Sequence, residues 1–593
     1  MKMLSRVISA LWLATVTLFS SVPVEATQGS NSTFYNPIIP GFHPDPSCMF
    51  LPEWDETFFC ASSSFNAFPG IPLHASKDLQ NWKLIGTIAK FQGTGCENLH
   101  TAGHVLNRKE QLPRLAETNR STRQALYKLT GPSGIWAPTL RYHDETFWLV
   151  TTLVDDEKEA ADASRWDNII FRAKDPYDPA SWSNAVHFEF EGYDTEPFWD
   201  DDGKAYMNGA HAWKVGPWIQ QTEANLETGE VGEWKTIWNG TGGMKDHIFI
   251  AKMDGGTGLG HMVTIARSKN IDGPYESNPA NPILTNANTT EYFQTVGHAD
   301  LFQDASGNWW SVALATRSGP EWLHFPMVRE TVLTAATWKE GEWPYLTPIS
   351  GKMSGWEMPS YSLEVEGPGP WTSLGEVKGD DISFGPNSSI PAHFTHWRYP
   401  IEKSYTVSPP EHPNSLRLTP SKLNLTAFNG NYAGQEGQTF IGRRQQDTLF
   451  AYSVDVDFAP TAVEEEVGVS VFLTQNHHFD LGLVLLPAKA RTRAFPGQNL
   501  TVIEEPDELK FHFRFRGESY VPIPANIVVP VPEEWVGEPL HLEIKGVNAT
   551  HYSFSAGPAG TASCMQTLLY ASNDALSWGF TGECERILEP SVS

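Results

Sequence analysis

The chain has 593 residues, too many for a single hydrophobic core, so two or more domains are expected. Its formal net charge of −28 argues against nucleic acid and anionic membranes as partners. Aromatic residues make up 12% of the chain, including 22 Trp. Most of these rings are expected in sheet cores, although such rings also suit flat apolar faces of ligands, sugar rings among them.

The first 26 residues have the pattern of a secretory signal peptide. Lys2 and Arg6 precede a largely apolar run over residues 7–19, and Val24-Glu25-Ala26 provides a small-x-small cleavage site. No later stretch is long and apolar enough to span a bilayer. The sequence therefore predicts a secreted, extracellular protein with a signal peptide over residues 1–26.

N-glycosylation sequons are frequent behind this segment. A single sequon is a weak signal, but eight of them after a signal peptide favour a secreted glycoprotein. The acceptor residues are Asn31, Asn119, Asn239, Asn288, Asn387, Asn424, Asn499 and Asn548.

The chain has five cysteines, too few for a disulfide scaffold and without zinc-type spacing. Cys48 and Cys60 flank a predicted hairpin and could pair across it. Cys564 and Cys584 could close a C-terminal loop. Cys96 is then left over.

Residues 35–345 repeat one hairpin pattern: a Pro or small polar start, a short apolar run, an acidic or Gly turn, and an aromatic strand. Clear copies begin at Asp45, Ala137, Glu196 and Ala299. Repeated hairpins with trailing strands are typical of β-propeller blades. A fifth copy is expected near residues 240–255, where the sequence offers only one short apolar run.

The remaining chain predicts a second all-β unit. Residues 346–375 are rich in Gly, Pro and Ser and are interpreted as a linker. Residues 376–590 contain short alternating segments such as "FAYSVDVDF" and "VGVSVFLT", which indicate a β-sandwich. The predicted fold class is therefore all-β, a five-bladed β-propeller followed by a β-sandwich.

One short stretch suggests a site. In "GFHPDPS", Asp45 lies between Pro44 and Pro46. Each proline fixes its own φ and pushes the preceding residue toward extended geometry, so the carboxylate is expected on a stiff backbone. The simpler interpretation is a rigid turn that enters a strand.

Six motifs, taken together and in order, resemble glycoside hydrolase family 43, with β-xylosidases and α-L-arabinofuranosidases as the most similar members. The C-terminal "SVDVDFAPTAVEEEVGVSVFLTQNHHFDLGL" is similar to the concanavalin-like sandwich of those enzymes. The resemblance covers nearly the whole mature chain. The six motifs are "NPIIPGFHPDPS", "GIWAPTLRYH", "YDTEPFWDDDG", "GGTGLGHMVTIARS", "VGHADLFQD" and "VRETVL".

The resemblance implies roles for several residues. Asp45 matches the general base, which activates water against the anomeric carbon, and Asp194 matches the carboxylate that raises the pKa of the acid and orients substrate. His298 matches a histidine at the pocket floor near a central water or ion, and Arg329 matches an arginine that reaches the sugar. Trp136 lies at an aromatic position suited to stacking. Taken alone, each of these last three residues has an ordinary structural explanation.

The resemblance implies no required cofactor, although a structural calcium ion at the propeller axis is compatible with it. The implied partner is a plant cell-wall oligosaccharide or polysaccharide. The implied reaction is exo-acting, inverting hydrolysis that releases xylose or arabinose.

The general acid is the departure from the family pattern. The family carries a glutamate in an "EGPH"-like stretch, but no glutamate lies between Glu233 and Glu276 here. Asp246 and Asp254 are the only carboxylates near the expected place, and both are weak candidates. The general acid is therefore unknown from the sequence.

Two further segments, residues 87–103 and 123–132, interrupt the family pattern. They indicate either misplaced exon boundaries in a translated gene or real divergence. The sequence thus leaves two classes of function open, a glycosidase and a catalytically impaired, lectin-like protein on the same fold. An endo-acting arabinanase is a third, weaker alternative, and the choice between xylose and arabinose stays open.

Overall fold

The computed structural model describes residues 32–85, 134–239 and 258–577. Short gaps interrupt these ranges at 156–157, 160, 213–214, 217, 320–323, 373–378, 398–399, 422–423, 427–437, 491, 496–497 and 502–507. Within this part the regular structure is β-strand with short 3-10 turns, and no helix is long and apolar enough to cross a membrane. The 3-10 helices are Pro52–Trp54, Ala163–Arg165, Glu402–Ser404, Glu533–Trp535, Ala562–Cys564 and Asn573–Leu576.

The N-terminal two thirds of the chain forms a series of antiparallel sheets. The strands in chain order are β1 (Ser32–Tyr35), β2 (Ser47–Leu51), β3 (Thr57–Ala61), β4 (Ala67–Phe68), β5 (Leu73–Ser76), β6 (Trp82–Leu84), β7 (Gly134–His143), β8 (Thr146–Val154), β9 (Trp166–Ala173), β10 (Val186–Phe188), β11 (Gly192–Trp199), β12 (Ala205–His211), β13 (Ile219–Asn225), β14 (Glu230–Val231), β15 (Lys235–Trp238), β16 (Ala266–Arg267), β17 (Glu276–Ser277), β18 (Phe293–Gln303), β19 (Trp309–Arg317), β20 (Arg329–Thr337), β21 (Tyr345–Leu346), β22 (Lys352–Gly355) and β23 (Trp371–Thr372).

Four of these sheets have the blade pattern expected from the hairpin repeats. Their orders are β2-β3-β5-β6 with β23 added, β7-β8-β9-β10, β11-β12-β13 with β14 and β15, and β18-β19-β20-β21. Their first strands are neighbours in space, because β18 contacts β2, β2 contacts β7, and β7 contacts β11. The small sheet β16-β17 follows the third blade in the chain. The fifth hairpin, expected near residues 240–255, lies outside the described residues.

The segment interpreted as a linker is part of the propeller. Strand β22 pairs with β1, and β23 extends the first blade by pairing with β6. Met353 and Val365 are buried in the propeller cores. The interpretation of residues 346–375 as a linker is therefore wrong. The sequence did not reveal these strands because two to four residues are too few to show a hydrophobic period among so many Gly and Pro.

The C-terminal part forms two packed sheets, β28-β35-β36-β37 and β29-β30-β33-β34. Phe479, Phe515 and Phe554 from both sheets meet in one core, as expected for a sandwich. The all-β propeller-and-sandwich prediction is thus confirmed. The strands are β24 (Phe394–Trp397), β25 (Tyr405–Val407), β26 (Leu416–Leu418), β27 (Gly442–Arg443), β28 (Ala451–Val456), β29 (Glu466–Thr474), β30 (His477–Pro487), β31 (Thr492–Phe495), β32 (Gln498–Thr501), β33 (Leu509–Glu518), β34 (Ile527–Pro530), β35 (Leu540–Gly546), β36 (His551–Pro558) and β37 (Gln566–Ser572).

The two domains share a sheet and an aromatic cluster. Strand β24 pairs with β27 on one side and with β4 of the propeller on the other. Trp397 of β24 is buried with Phe65, and Phe440 and Phe472 pack against them. The sandwich therefore covers the propeller beside the segment that contains Phe65.

Candidate active site

Asp45 ends the loop that enters β2, and its backbone has a φ of +53°. This left-handed conformation differs from the extended geometry expected before a proline. Aspartate tolerates it better than most residues, and the loop is tied on both sides: the His43 N–H donates to Arg329 O at 3.1 Å, and the Ser63 N–H donates to Pro44 O at 2.9 Å. The result is a carboxylate held on a stiff backbone.

The Asp45 carboxylate is buried and has a donor on each oxygen. Arg329 Nη1 donates to Oδ1 at 2.8 Å, and Ser63 Oγ donates to Oδ2 at 2.5 Å. Burial raises the pKa of this carboxyl, but the charges of Arg329 and His298 and the Ser63 hydrogen bond outweigh it. The charge of His261 also lowers the pKa of Asp45. The pKa of Asp45 is therefore lowered, and the ionised form is favoured.

Asp194 and His298 project from irregular positions in two inner strands. The register of β11 against β12 shifts between Tyr193 and Glu196, and that of β18 against β19 shifts between Gly297 and Asp300. Inside these bulges Asp194 has a φ of +52° and His298 a φ of +47°. Bulges re-aim side chains, and here they turn two polar groups toward Asp45.

His298 lies between the two carboxyl groups. Its Nδ1 is 4.0 Å from Asp45 Oδ1 and 3.9 Å from Asp194 Oδ2. Burial raises the pKa of Asp194 to about 6; His298 and Arg329 oppose this rise and the charge of Asp45 adds to it. Two neighbouring carboxyl groups whose pKa values are pushed apart form an arrangement suited to acid–base chemistry.

Arg329 begins β20 and is 3% exposed. One of its nitrogens holds Asp45, whereas Nε and Nη2 have no hydrogen-bond partner among the described residues. The guanidinium also lies 5.0 Å from the centre of the Phe65 ring. Buried donors of this kind are costly unless a ligand or water completes them.

Trp136 lies at the edge of the same region. It precedes Ala137, whose N–H donates to Ser63 Oγ at 2.7 Å. Its ring contacts those of Phe65, Trp166 and Tyr193 at centroid distances of 5.5 to 6.2 Å. The structure therefore places Trp136 beside the site in a packed cluster.

Two residues of the site were not predicted from the sequence. Ser63 contacts Asp45 directly, and His261 donates from Nδ1 to Thr295 O at 2.9 Å. Burial lowers the pKa of His261 to about 4, and the charges of His298 and Arg329 add to this effect. The only sequence signal for His261 was its place in the motif "GGTGLGHMV". The stretch "SSSF", which contains Ser63, carries no signal of a functional site.

An ion-pair cluster around Arg141 joins the first strands of four blades, two residues after Asp45, Asp194 and His298 in the chain. Arg141 donates to Asp300 Oδ2 at 2.8 Å and to Ser47 Oγ at 3.0 Å, and it also pairs with Glu196. No group of three or more metal-ligating side chains occurs within the described ranges. Arg141 thus pairs with the carboxylates of Asp300 and Glu196. The calcium ion that the family resemblance allows near His298 stays a prediction.

The remaining sequence predictions divide by location. Cys48 and Cys60 form a disulfide between facing positions of β2 and β3, and Cys564 is exposed without a disulfide partner in the described part. Five sequon asparagines are exposed: Asn239, Asn288, Asn387, Asn424 and Asn548. Outside the described residues, or without a described side chain, lie Asn31, Cys96, Asn119, Asp246, Asp254, Asn499 and Cys584.

Comparison with known proteins decides the family. The model of glycosyl hydrolases family 43 matches residues 34–95 and 91–344, and the model of the β-xylosidase C-terminal concanavalin A-like domain matches residues 384–582. The chain belongs to glycosyl hydrolase family 43. Family 43 members are glycosidases, and the chain is accordingly a glycosidase by family.

Individual members of family 43 are similar over most of their length. A non-reducing end α-L-arabinofuranosidase of Bacteroides ovatus is 31% identical, covering 80% of this chain and 78% of that protein. A β-xylosidase of Bacillus subtilis is 28% identical over 76% of this chain and 80% of its own. Among solved structures, the Bacteroides ovatus xyloglucan PUL GH43B is 27% identical with a TM-score of 0.68, covering 93% of this chain and 94% of that one.

Proposed function

We propose that the protein is a secreted, exo-acting, inverting glycosidase that releases xylose or arabinose from plant cell-wall saccharides. The observation that carries this proposal is the Asp45 carboxylate, held by Ser63 and Arg329 beside Asp194 and His298. Relatives named for both sugars support pentose release without choosing between xylose and arabinose.

In this proposal Asp45 takes a proton from a water molecule as the oxygen of that water attacks the anomeric carbon. The glycosidic bond breaks as the new C–O bond forms, and the leaving oxygen takes a proton from an acid on the opposite face of the sugar. Inverting enzymes separate the two carboxyl groups by about 6.5–9.5 Å to admit the water. Asp194, His298 and the free donors of Arg329 would hold the sugar over Asp45.

Proton donation is the weak step of the proposed reaction. The sequence has no glutamate between Glu233 and Glu276, so the family's acid is missing there. Asp246 and Asp254 are the remaining candidates. We propose that the chain as written is impaired in protonating poor leaving groups.

Secretion and glycosylation are part of the same proposal. The N-terminal pattern indicates export, and the Cys48–Cys60 disulfide fits an oxidising compartment. The exposed sequon asparagines would be available for modification. The second candidate function, a catalytically impaired sugar-binding protein, is favoured only by the missing glutamate.

Two kinds of substrate separate these functions. A 4-nitrophenyl β-D-xyloside or α-L-arabinofuranoside has a leaving group that hardly needs protonation, whereas xylobiose needs it. We expect weak hydrolysis of the aryl glycosides and very little of xylobiose. Inserting an "EGPH" stretch between Met244 and Lys245 should raise kcat/KM on xylobiose by about 10²–10⁴-fold, the usual contribution of a general acid.

Two other results of this experiment would contradict these expectations. Strong xylobiose hydrolysis by the unrepaired chain would show that Asp246, Asp254 or another group donates the proton. No hydrolysis by either chain, with retained binding of xylose, would favour the sugar-binding function.

A further inference from the structure

Ser63 connects the loop that carries Asp45 with the neighbouring blade. It follows β3 and is fully buried. Its backbone N–H donates to Pro44 O, and the next two backbone N–H groups, at Ser64 and Phe65, donate to Ile135 O of β7. The serine therefore has a fixed place between the first and second blades.

The direction of the Ser63 hydroxyl proton follows from its two partners. The Ala137 N–H points at Ser63 Oγ from 2.7 Å and occupies a lone pair of that oxygen. A hydroxyl has a single proton, and the other close partner is the acceptor-only oxygen Oδ2 of Asp45 at 2.5 Å. Ser63 therefore donates to the carboxylate, and Ala137 holds the serine in the orientation for that bond.

The irregular backbone of β7 makes this bond available. The register of β7 against β8 shifts between Trp136 and Thr139, and Ala137 in between has a φ of +30°. A residue in a bulge leaves the strand ladder, so its N–H is free to bond elsewhere. The second blade thus provides a donor to Ser63, which in turn donates to Asp45.

We propose that Ser63 is a positioning residue that holds the Asp45 carboxylate in the plane and charge state needed to deprotonate the attacking water. The inference rests on the proposed function, because it assumes that Asp45 is the base. Arg329 fixes one carboxylate oxygen and Ser63 the other, so the group is held at two points. Rotation about the Cβ–Cγ bond would break both hydrogen bonds.

The Ser63→Ala variant tests this role through the pH dependence of kcat/KM on 4-nitrophenyl β-D-xyloside. Losing a donor to the ionised carboxyl raises the pKa of Asp45, so the acid limb of the profile should move to higher pH by about one unit. The plateau should fall by about tenfold because the carboxylate is less well held.

Ser62→Ala is the matched control. Ser62 is also buried, but its hydroxyl has no hydrogen-bond partner within the described ranges. The acid limb and the plateau of this variant should equal those of the wild type. An acid limb in folded Ser63→Ala at the wild-type position would overturn the proposal, whatever the height of the plateau.

Two further variants apply if Ser63→Ala does not fold. Ser63→Cys has a similar size with a weak donor, and Ser63→Thr keeps the hydroxyl. The acid limb should move up in the Cys variant and stay in place in the Thr variant. Equal acid limbs in folded Cys and Thr variants would contradict the role of the hydroxyl.

Failure of the proposed function would be visible separately, as no hydrolysis by the wild type at any pH. The ionisation of Asp45 is then followed by NMR in protein labelled with [4-¹³C]aspartate, with Asp45→Asn to identify the signal. Its titration should occur at higher pH in Ser63→Ala than in Ser62→Ala, and coincident titrations would overturn the inference.

Discussion

At the scale of single residues, the site depends on two carboxyl groups with opposite surroundings. Asp45 has Arg329 and Ser63 as direct donors, and its pKa is lowered. For Asp194, burial outweighs the charges of His298 and Arg329, and its pKa is raised to about 6. Two aspartates near each other therefore have pKa values shifted in opposite directions, which is how a fold provides acid and base functions near neutral pH.

The raised pKa of Asp194 predicts a pH-dependent cost to stability. Well below pH 3.8 the Asp194 carboxyl is protonated in both the folded and the unfolded chain, so its titration does not change the stability. As the pH rises from there to about 6, the folded state binds more protons than the unfolded state, and stability falls. Above about 6 the full cost is present.

Asp194→Asn should remove this cost. The melting temperature of the variant relative to the wild type should be higher at pH 7.5 than at pH 4, by roughly 1–3 °C, since a partly exposed group has a modest effect. Asp201→Asn, at an exposed turn, is the control and should show no such difference. A difference for Asp194→Asn that is constant across pH would contradict the raised pKa.

Sequence motifs identified the residue types of the site but not their backbone. The resemblance named Asp45, Asp194, His298 and Arg329, and the structure brings all four together. Left-handed φ values could not be read from these motifs, because Asp45 precedes a proline and His298 lies within a strand. Ser63 and its neighbours were not found, since a buried serine has no distinctive pattern in sequence.

At the scale of secondary-structure elements, the first strands of four blades are connected through the ion-pair cluster around Arg141. Arg141 of β7 bonds to Asp300 of β18, Glu196 of β11 and Ser47 of β2. Burial lowers the pKa of the arginine, but Asp300 and Glu196 outweigh it and the net pKa is raised. One side chain thus connects four blades beside the candidate site.

Arg141→Ala should therefore destabilise the propeller. Removing Arg141 leaves the partly buried Asp300 carboxylate uncompensated, and the expected cost is roughly 1–3 kcal/mol. In a protein of 593 residues that unfolds as one unit, this lowers the melting temperature by about 1–3 °C. Thermal unfolding followed by circular dichroism measures it.

Arg172→Ala is the matched control for this prediction. Arg172 on β9 of the same blade pairs with Glu227 at 2.7 Å, but both side chains are exposed. Exposed pairs contribute about 0–1 kcal/mol, so the melting temperature should change little. Equal decreases in melting temperature in the two variants would contradict a special role for the cluster around Arg141.

Elements were predictable from the sequence where they are long and alternating. The hairpins predicted near Asp45, Ala137, Glu196 and Ala299 all occur, and each forms the first two strands of a blade. The strands within residues 346–375 were not predicted, because their partners β1 and β6 are about three hundred residues away in the chain. Pairing at that distance leaves no local signal.

At the scale of the whole molecule, the sandwich packs against the propeller beside the candidate site. Trp397 and Phe472 from the C-terminal part pack with Phe65, whose ring also lies beside the Arg329 guanidinium. Arg317 of the last blade, which is paired with Glu330, donates to Gln446 O. The two domains are therefore expected to unfold together.

Scanning calorimetry of Trp397→Ala tests this coupling. Truncating a large buried aromatic residue lowers the free energy of unfolding by about 3–5 kcal/mol. If the domains unfold together, the wild type shows a single endotherm, and the variant shows a single endotherm at lower temperature. Trp338→Ala, at a residue 38% exposed, should change it little. Two separate endotherms in the wild type, of which the Trp397 variant shifts only one, would show that the domains are independent.

The measurement that tests the account most directly is kcat/KM on 4-nitrophenyl β-D-xyloside and 4-nitrophenyl α-L-arabinofuranoside for the wild type, Asp45→Ala and Asp45→Asn. Loss of Asp45 leaves the buried Arg329 uncompensated and could unfold the protein. Circular dichroism is therefore used to check that each variant is folded. The account predicts measurable hydrolysis of at least one substrate by the wild type and a loss of about 10²–10⁴-fold or more in both variants, as expected when a general base is removed. Folded variants that keep wild-type kcat/KM would contradict the assignment of Asp45 as the base.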